Sequence, residues 1–209
     1  MPRSTELFTT APGADGRTAL AVRTWPRLLV PGVTLHPLVR GDTRTVQRVF
    51  DGLSPRSRQT RFLTGIPFLP ASMAEYLADV DQDNHGCWVA YVSGAPVGMA
   101  RYVRLADPAV AEIALEVIDA YQGLGLGRLL VDVVGAAAAD VGVTSLRWLM
   151  DETNRPVRRL ASALGGEFSY DVGTVEATTP LPPVPAASAA EVARCAAAAR
   201  QATAVGVAA

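Results

Sequence analysis

The sequence predicts an α/β domain on a mixed, mostly antiparallel sheet flanked by helices. Three observations predict it. Short apolar stretches with strand-like alternation are interleaved with stretches whose apolar residues recur at helical spacing. Two strand-like stretches, Cys87–Val92 and Val97–Val103, are separated only by Ser93-Gly94-Ala95-Pro96, which reads as a hairpin. The later strands alternate with helices, which makes the sheet mixed.

Taken in order, residues 1–30 are rich in Gly, Pro, Thr and Ala with little periodicity, and read as a loosely held arm. Val33–Val39 alternates as a strand. Thr43–Leu53 reads as a helix with Val46, Val49, Phe50 and Leu53 on one face. Ser54 is a natural N-cap, with Pro55 at the first position of a second helix. Ala71–Asp79 gives a third. After the hairpin, Ala109–Ile118 is an apolar strand, and Leu126, Leu129, Leu130, Val133, Val134 and Ala137 mark an amphipathic helix. Val143–Met150 is a strand. Val157, Leu160, Ala161 and Leu164 mark a helix ended by Gly165-Gly166, and Phe168–Val172 reads as a further strand. Residues 31–180 form the domain. Residues 181–209 begin with Pro182, Pro183 and Pro185 and hold 13 alanines, which predicts a helical or disordered tail with few large side chains to bury.

Composition narrows the function. Of 209 residues, 49% are hydrophobic and 19% charged, enough to bury a core. The net charge of -1 argues against a nucleic-acid binder. All 19 basic residues are Arg. Without Lys there is no phosphate loop of the Walker type, no kinase strand lysine and no Schiff-base nucleophile. Cys87 and Cys195 offer neither metal spacing nor a disulfide framework, so no metal is expected. The N-terminus lacks the apolar core of a secretory signal, and Leu129–Val143 is too short and too charged, with Asp132 and Asp140, to cross a bilayer. A cytoplasmic protein without a membrane partner is expected.

The chemistry concentrates in residues 111–130, where a strand enters Gln122-Gly123-Leu124-Gly125-Leu126-Gly127 and then a helix. Glycines here let the backbone approach a ligand, and free amides at the helix start attract phosphate. Arg128 adds charge. A dinucleotide fingerprint fails: counting from Gly123 and Gly125, the third glycine position holds Arg128, and Asp140 falls within or at the end of the helix.

Gln122-x-x-Gly125-x-Gly127 resembles the acyl-CoA pyrophosphate loop of the GNAT superfamily of N-acetyltransferases, and the order of elements is similar. The likeness extends to Asn154 after the next strand, to residues 53–62, 81–90 and 97–104, and to Ala111-Glu112. Together these resemble the acetyltransferase domain of bacterial Pat-type protein lysine acetyltransferases, over residues 32–172. The nucleotide-binding or ligase-like domains often fused to Pat-type enzymes are not expected in this sequence.

The resemblance implies a GNAT-like fold with acetyl-CoA as co-substrate, held by residues 122–128 and Asn154. Main-chain amides near Val117, Ile118 and Asp119 hold the pantetheine arm and polarise the thioester, and Asp119 shapes the loop. The acceptor is an amine attacking in a ternary complex. A protein lysine is favoured, with a small-molecule amine or a non-catalytic acyl-CoA sensor as alternatives. Glu112, Ala114, Glu116 and Ile118 share one face of their strand, and two carboxylates on an apolar strand are unusual. A buried carboxylate can take the proton of an amine whose ordinary pKa is about 10.4. Glu112 matches the family's general base and is the first choice; Glu116 is the second, with an ion pair to Arg101 as the structural reading.

One departure stands out. Where many members carry a Tyr that protonates the leaving thiolate, this chain has Ala161, with Ser162 beside it. Arg155, Arg158 and Arg159 read either as phosphate contacts or as a solvated face. Asp79-x-Asp81-x-Asp83 is rejected as a calcium loop because Asn84 and Ala90 stand where Gly and Glu are needed. His85 reads as lining the acceptor site or as a plain loop residue. Trp88, Trp148 and Tyr91 read as core, and Tyr121 packs on the cofactor or the sheet.

Overall fold

The computed structural model describes residues 7–12 and 18–207, with side chains to residue 203. The elements in chain order are β1 (Phe8–Pro12), β2 (Thr18–Val22), β3 (Val33–Pro37), α1 (Thr43–Asp51), α2 (Pro55–Phe62), α3 (Ala71–Ala78), β4 (His85–Val92), β5 (Ala95–Arg104), β6 (Val110–Val117), α4 (Leu126–Asp140), β7 (Ser145–Asp151), α5 (Arg155–Ala163), β8 (Glu167–Asp171), β9 (Thr174–Pro180) and α6 (Ala186–Val207). The strands form one sheet in the order β1-β2-β3-β4-β5-β6-β7-β9-β8. Every pairing is antiparallel except β6 with β7. This is the predicted mixed, mostly antiparallel α/β architecture.

Local chemistry explains the well-formed elements. The β4–β5 hairpin turns on Ser93 (φ 50°) and Gly94 (φ 79°), two left-handed residues whose twist matches the flanking strands. Asp42 caps α1 by accepting from the Thr45 amide (3.0 Å), and Ser54 caps α2 by accepting from Ser57 (3.2 Å). Helices α1 and α3 cover one face of the sheet with Val46, Val49, Phe50, Leu77 and Ala78 over Cys87, Val89 and Met99. The other face meets α4 and α5 in a larger core that includes Trp88 and Trp148, as expected of them.

The structure differs from the sequence reading at both ends. Residues expected as a loose arm supply β1 and β2, with Phe8, Ala19 and Leu20 buried; residues 1–6 and 13–17 of that arm lie outside the described residues. The expected tail is helical, as one of its two readings had it, but it is built into the fold. Ser188, Val192, Cys195 and Ala196, spaced along one face of α6, are buried against α4 and the strands β1–β3. The Pro182 ring comes within 2.4 Å of where a Cβ would stand on Gly135 of α4. That cover explains why α4 is buried on nearly all sides instead of presenting a polar stripe. Strand β9, not foreseen as an element, lies between β7 and β8.

Candidate active site

The site opens where the only parallel pair of the described sheet comes apart. β6 and β7 pair from Val110–Ser145 to Ile113–Trp148, and β6 then continues through Ala114–Val117 with no partner on that side. The phase of β6 follows from two bonds to its other neighbourhood, Leu105 N to Val110 O (2.9 Å) and Ile118 N to Val97 O (3.0 Å). Antiparallel pairing alternates, so residues 110, 112, 114, 116 and 118 bond toward β5, and the main-chain groups of Leu115 and Val117 face the opening. The Val117 carbonyl accepts from Gln122 Nε2 (2.9 Å). The Ile118 amide is donated to Val97, and the Asp119 amide to the Gly52 carbonyl (3.4 Å). Of the three amides the sequence reading assigned to the pantetheine arm, only that of Val117 therefore faces the opening, joined by that of Leu115.

Asp119 takes the loop-shaping part. Its carboxylate accepts from Ser54 N (2.8 Å), Ser54 Oγ (2.7 Å) and Ser57 Oγ (3.0 Å), tying the start of α2 to the end of β6. Partial burial opposes its ionisation, but these hydrogen bonds outweigh that and lower its pKa.

Residues 122–128 then carry the chain into α4. Gly123 (φ 74°) faces open space. Gly125 (φ 92°) is the N-cap of α4 and gives no side-chain cap, so the first amides of the helix lack side-chain acceptors. A Cβ on Gly125 would stand 2.4 Å from the Arg27 carbonyl oxygen. Its bareness thus makes room for the protein's own chain, whereas the sequence reading gave that room to a ligand. Leu124 accepts from the Leu29 amide (3.0 Å), Leu126 is buried, and Gly127 packs near Leu115 and Leu160. Arg128 is not a free charge, because its Nε donates to both oxygens of buried Asp132 (2.9 and 2.7 Å). Asn154 caps α5 through Oδ1, accepting from Val157 N (3.4 Å). An uncapped helix start beside the strand opening suits an anionic, elongated co-substrate.

The two candidate carboxylates differ sharply. Glu116 is buried between Arg61, whose Nε donates to Oε2, and Arg101, whose guanidinium is 3.7 Å from Oε1. This is the ion-pair reading, with Arg61 as a further partner that no local sequence signal marks. Glu112, at the base of the opening beside Ile113, is half-buried, and among the described residues it makes no hydrogen bond or ion pair. Its cross-strand neighbour Arg147 is held by Glu176 (2.8 Å).

On the α1–α3 side of the sheet, Arg101 donates to the Leu77 carbonyl (2.7 Å) and faces His85 Nε2 at 3.2 Å. The other ring nitrogen, Nδ1, lies 3.0 Å from the Asp79 carbonyl. Burial first, and then the Arg101 charge, lower the His85 pKa to about 4. His85 is therefore neutral near pH 7, with Nδ1–H donating and Nε2 accepting, which makes it a brace for Arg101 rather than a proton carrier. Asp81 accepts from the amides of Asp83, Asn84 and His85 and so closes its own loop. Ala161 is fully buried. Arg155, Arg158 and Arg159 line a cleft of about 480 Å³ with Ser162, Phe168 and Tyr170, and the Arg158 guanidinium lies 5.7 Å over the Tyr170 ring.

With this geometry in place, likeness to known proteins assigns the family. Residues 54–165 match the acetyltransferase (GNAT) family model, and the chain belongs to the GNAT family of acetyltransferases. It is 30% identical to an acetyltransferase of Pseudomonas aeruginosa over 137 residues, 64% of this chain and 74% of that one. It is 31% identical to the acetyltransferase Pat of Mycolicibacterium smegmatis over 156 residues, 72% of this chain but only 46% of that longer protein. In fold it is similar to the GNAT domain of S. lividans PAT (TM-score 0.67, 21% identity), covering 85% of this chain and 98% of that one. A phosphinothricin acetyltransferase of Sinorhizobium meliloti, solved in complex with acetyl-CoA, gives a TM-score of 0.58 at 20% identity, covering 71% and 88%. The protein is thus an acetyltransferase, an acyltransferase of this family. No described helix is long and apolar enough to cross a membrane.

Proposed function

We propose that this acetyltransferase modifies protein lysines, with Glu112 as the general base and the main-chain amides of Leu115 and Val117 polarising the thioester carbonyl. The observation that carries the reading is the Glu112 carboxylate at the base of the β6–β7 opening, without a hydrogen bond or ion pair among the described residues, against a Glu116 held by two arginines. A lysine amine is protonated at neutral pH and attacks only after losing a proton. Glu112 takes that proton, directly or through water. Glu116 stands between the two donor residues, Leu115 and Val117, but its carboxylate is already held by Arg61 and Arg101.

In the ternary complex the amine nitrogen bonds to the thioester carbon, and the Leu115 and Val117 amides meet the oxygen as charge builds on it. The carbon–sulfur bond then breaks. With Ala161 buried at the place of the usual Tyr, the thiolate takes its proton from water. Residues 122–128 and Asn154 hold the CoA portion through loop amides, the open start of α4 and the free Nδ2 of Asn154. Sequence likeness to Pat supports a protein acceptor. So do Phe68 (69% exposed) and Tyr76 (64%), two large apolar side chains displayed on the α2–α3 side of the domain.

The test is Glu112→Gln. Acetyl-CoA binding, measured by calorimetry, should persist while acetylation of lysine peptides falls by a factor of about 10²–10⁴. Unchanged turnover removes Glu112 from the mechanism. Release of CoA with small amines but never with lysine peptides would overturn the protein-acceptor reading, and release with no amine would favour a sensor.

A further inference from the structure

The geometry points to Arg27, outside the matched family segment, as a cation that binds the phosphates of acetyl-CoA from a turn laid over the phosphate loop. The inference rests on the reading of residues 122–128 as the CoA site. Trp25-Pro26-Arg27-Leu28 forms a tight turn closed by Leu28 N to Trp25 O (3.2 Å). Pro26 occupies its second position and Arg27, at φ 67°, its third. That third slot normally goes to Gly or Asn, because a side chain is strained there. An Arg kept in a glycine slot is an outlier that asks for a reason.

Its surroundings supply one. The Arg27 carbonyl lies against Gly125, at the N-cap of α4, and the Leu29 amide bonds the Leu124 carbonyl (3.0 Å). The turn is anchored from behind by Trp25 stacked on Phe8 (5.6 Å) and by Leu28 in the core. The loop's own arginine, Arg128, is neutralised by Asp132. The chain has no Lys to substitute. Arg27 is exposed and, among the described residues, makes no hydrogen bond or ion pair. A charge-assisted bond to phosphate is what an unpaired guanidinium at this place can make.

The test is Arg27→Gly, which suits φ 67° and so preserves the turn. Its melting temperature should hold or rise. Its calorimetric Kd for acetyl-CoA should weaken about tenfold, while Arg104→Gln, at the far end of β5 beside Asp83, leaves the Kd unchanged. Dephospho-CoA identifies the phosphate: a defect that disappears with it places Arg27 on the 3′-phosphate, and a defect that persists places it on the diphosphate. An Arg27→Gly protein that binds acetyl-CoA within twofold of wild type overturns the proposal. Wild-type protein that fails to bind acetyl-CoA overturns instead the assignment of the loop.

Discussion

The two faces of β6 are built on different principles. Toward α4 and α5, Ala111 and Ile113 join a continuous apolar core, and the glycine-rich turn at residues 122–128 is one short run of sequence beside it. Toward α1–α3, Glu112, Ala114 and Glu116 meet a smaller core through charge, with Arg61 and Arg101 brought in from separate elements. On the first side the glycine-rich turn exposes main-chain amides, which any sequence with the right turns can supply. The second presents side chains, whose identity decides what they bind.

Breaking that contrast starts with the two carboxylates. Glu112→Gln should remove most turnover, by about 10²–10⁴ in kcat, with little change in melting temperature. Glu116→Ala should do more to stability, because it leaves two arginines, one only 3% exposed, without their counter-charge. A loss of about 3–5 kcal/mol follows, or on the order of 10 °C in thermal unfolding. If the two variants exchange these signatures, the assignment of base and brace is reversed.

The loop face is sharpened by its glycines. Alanine at Gly123 or Gly125 carries the left-handed strain of about 1–2 kcal/mol. Gly125→Ala also drives a Cβ to 2.4 Å from the Arg27 carbonyl and must displace the turn. It should therefore unfold at a lower temperature than Gly123→Ala, and equal effects would mean that the turn does not rest on the loop. The smallest effect concerns His85. Its folded pKa of about 4 lies below the ordinary 6.5, so the unfolded chain binds more protons between these values. Stability should fall as pH drops through that window, and His85→Gln should flatten its part of the slope in denaturant titrations at pH 7 and pH 5.

The same contrast explains what sequence could reveal. The central strands, the hairpin at Ser93-Gly94 and residues 122–128 were legible because their signals are local: alternation, a turn dipeptide, glycines at a strand–helix junction. The Glu116–Arg61 pair spans 55 residues, and nothing in either neighbourhood announces it. Strands β1 and β2 are five residues each, too short for a period to stand out against their Thr and Ala. Helix α6 buries small side chains, so its apolar face carries little hydrophobic signal, yet the nearly unbroken apolar surface of α4 (VVGAAAA) already asked for a second cover. The role of Gly125 is not local either, because the segment that needs its space, at Arg27, lies far upstream.

The two cysteines fall one on each side of this divided molecule. Cys87 is sealed under α1–α3 and Cys195 lies on the buried face of α6, and burial pushes both thiols up to about 11. Alkylating reagents act on thiolates, so native protein should be nearly silent to them. Whatever labelling occurs must pass through transient opening, and its rate at each cysteine measures how often that layer lifts. The chain thus carries two built-in clocks. Slowing of the Cys87 clock by an acceptor peptide alone, or of the Cys195 clock by neither ligand, would show which half of the enzyme breathes during turnover.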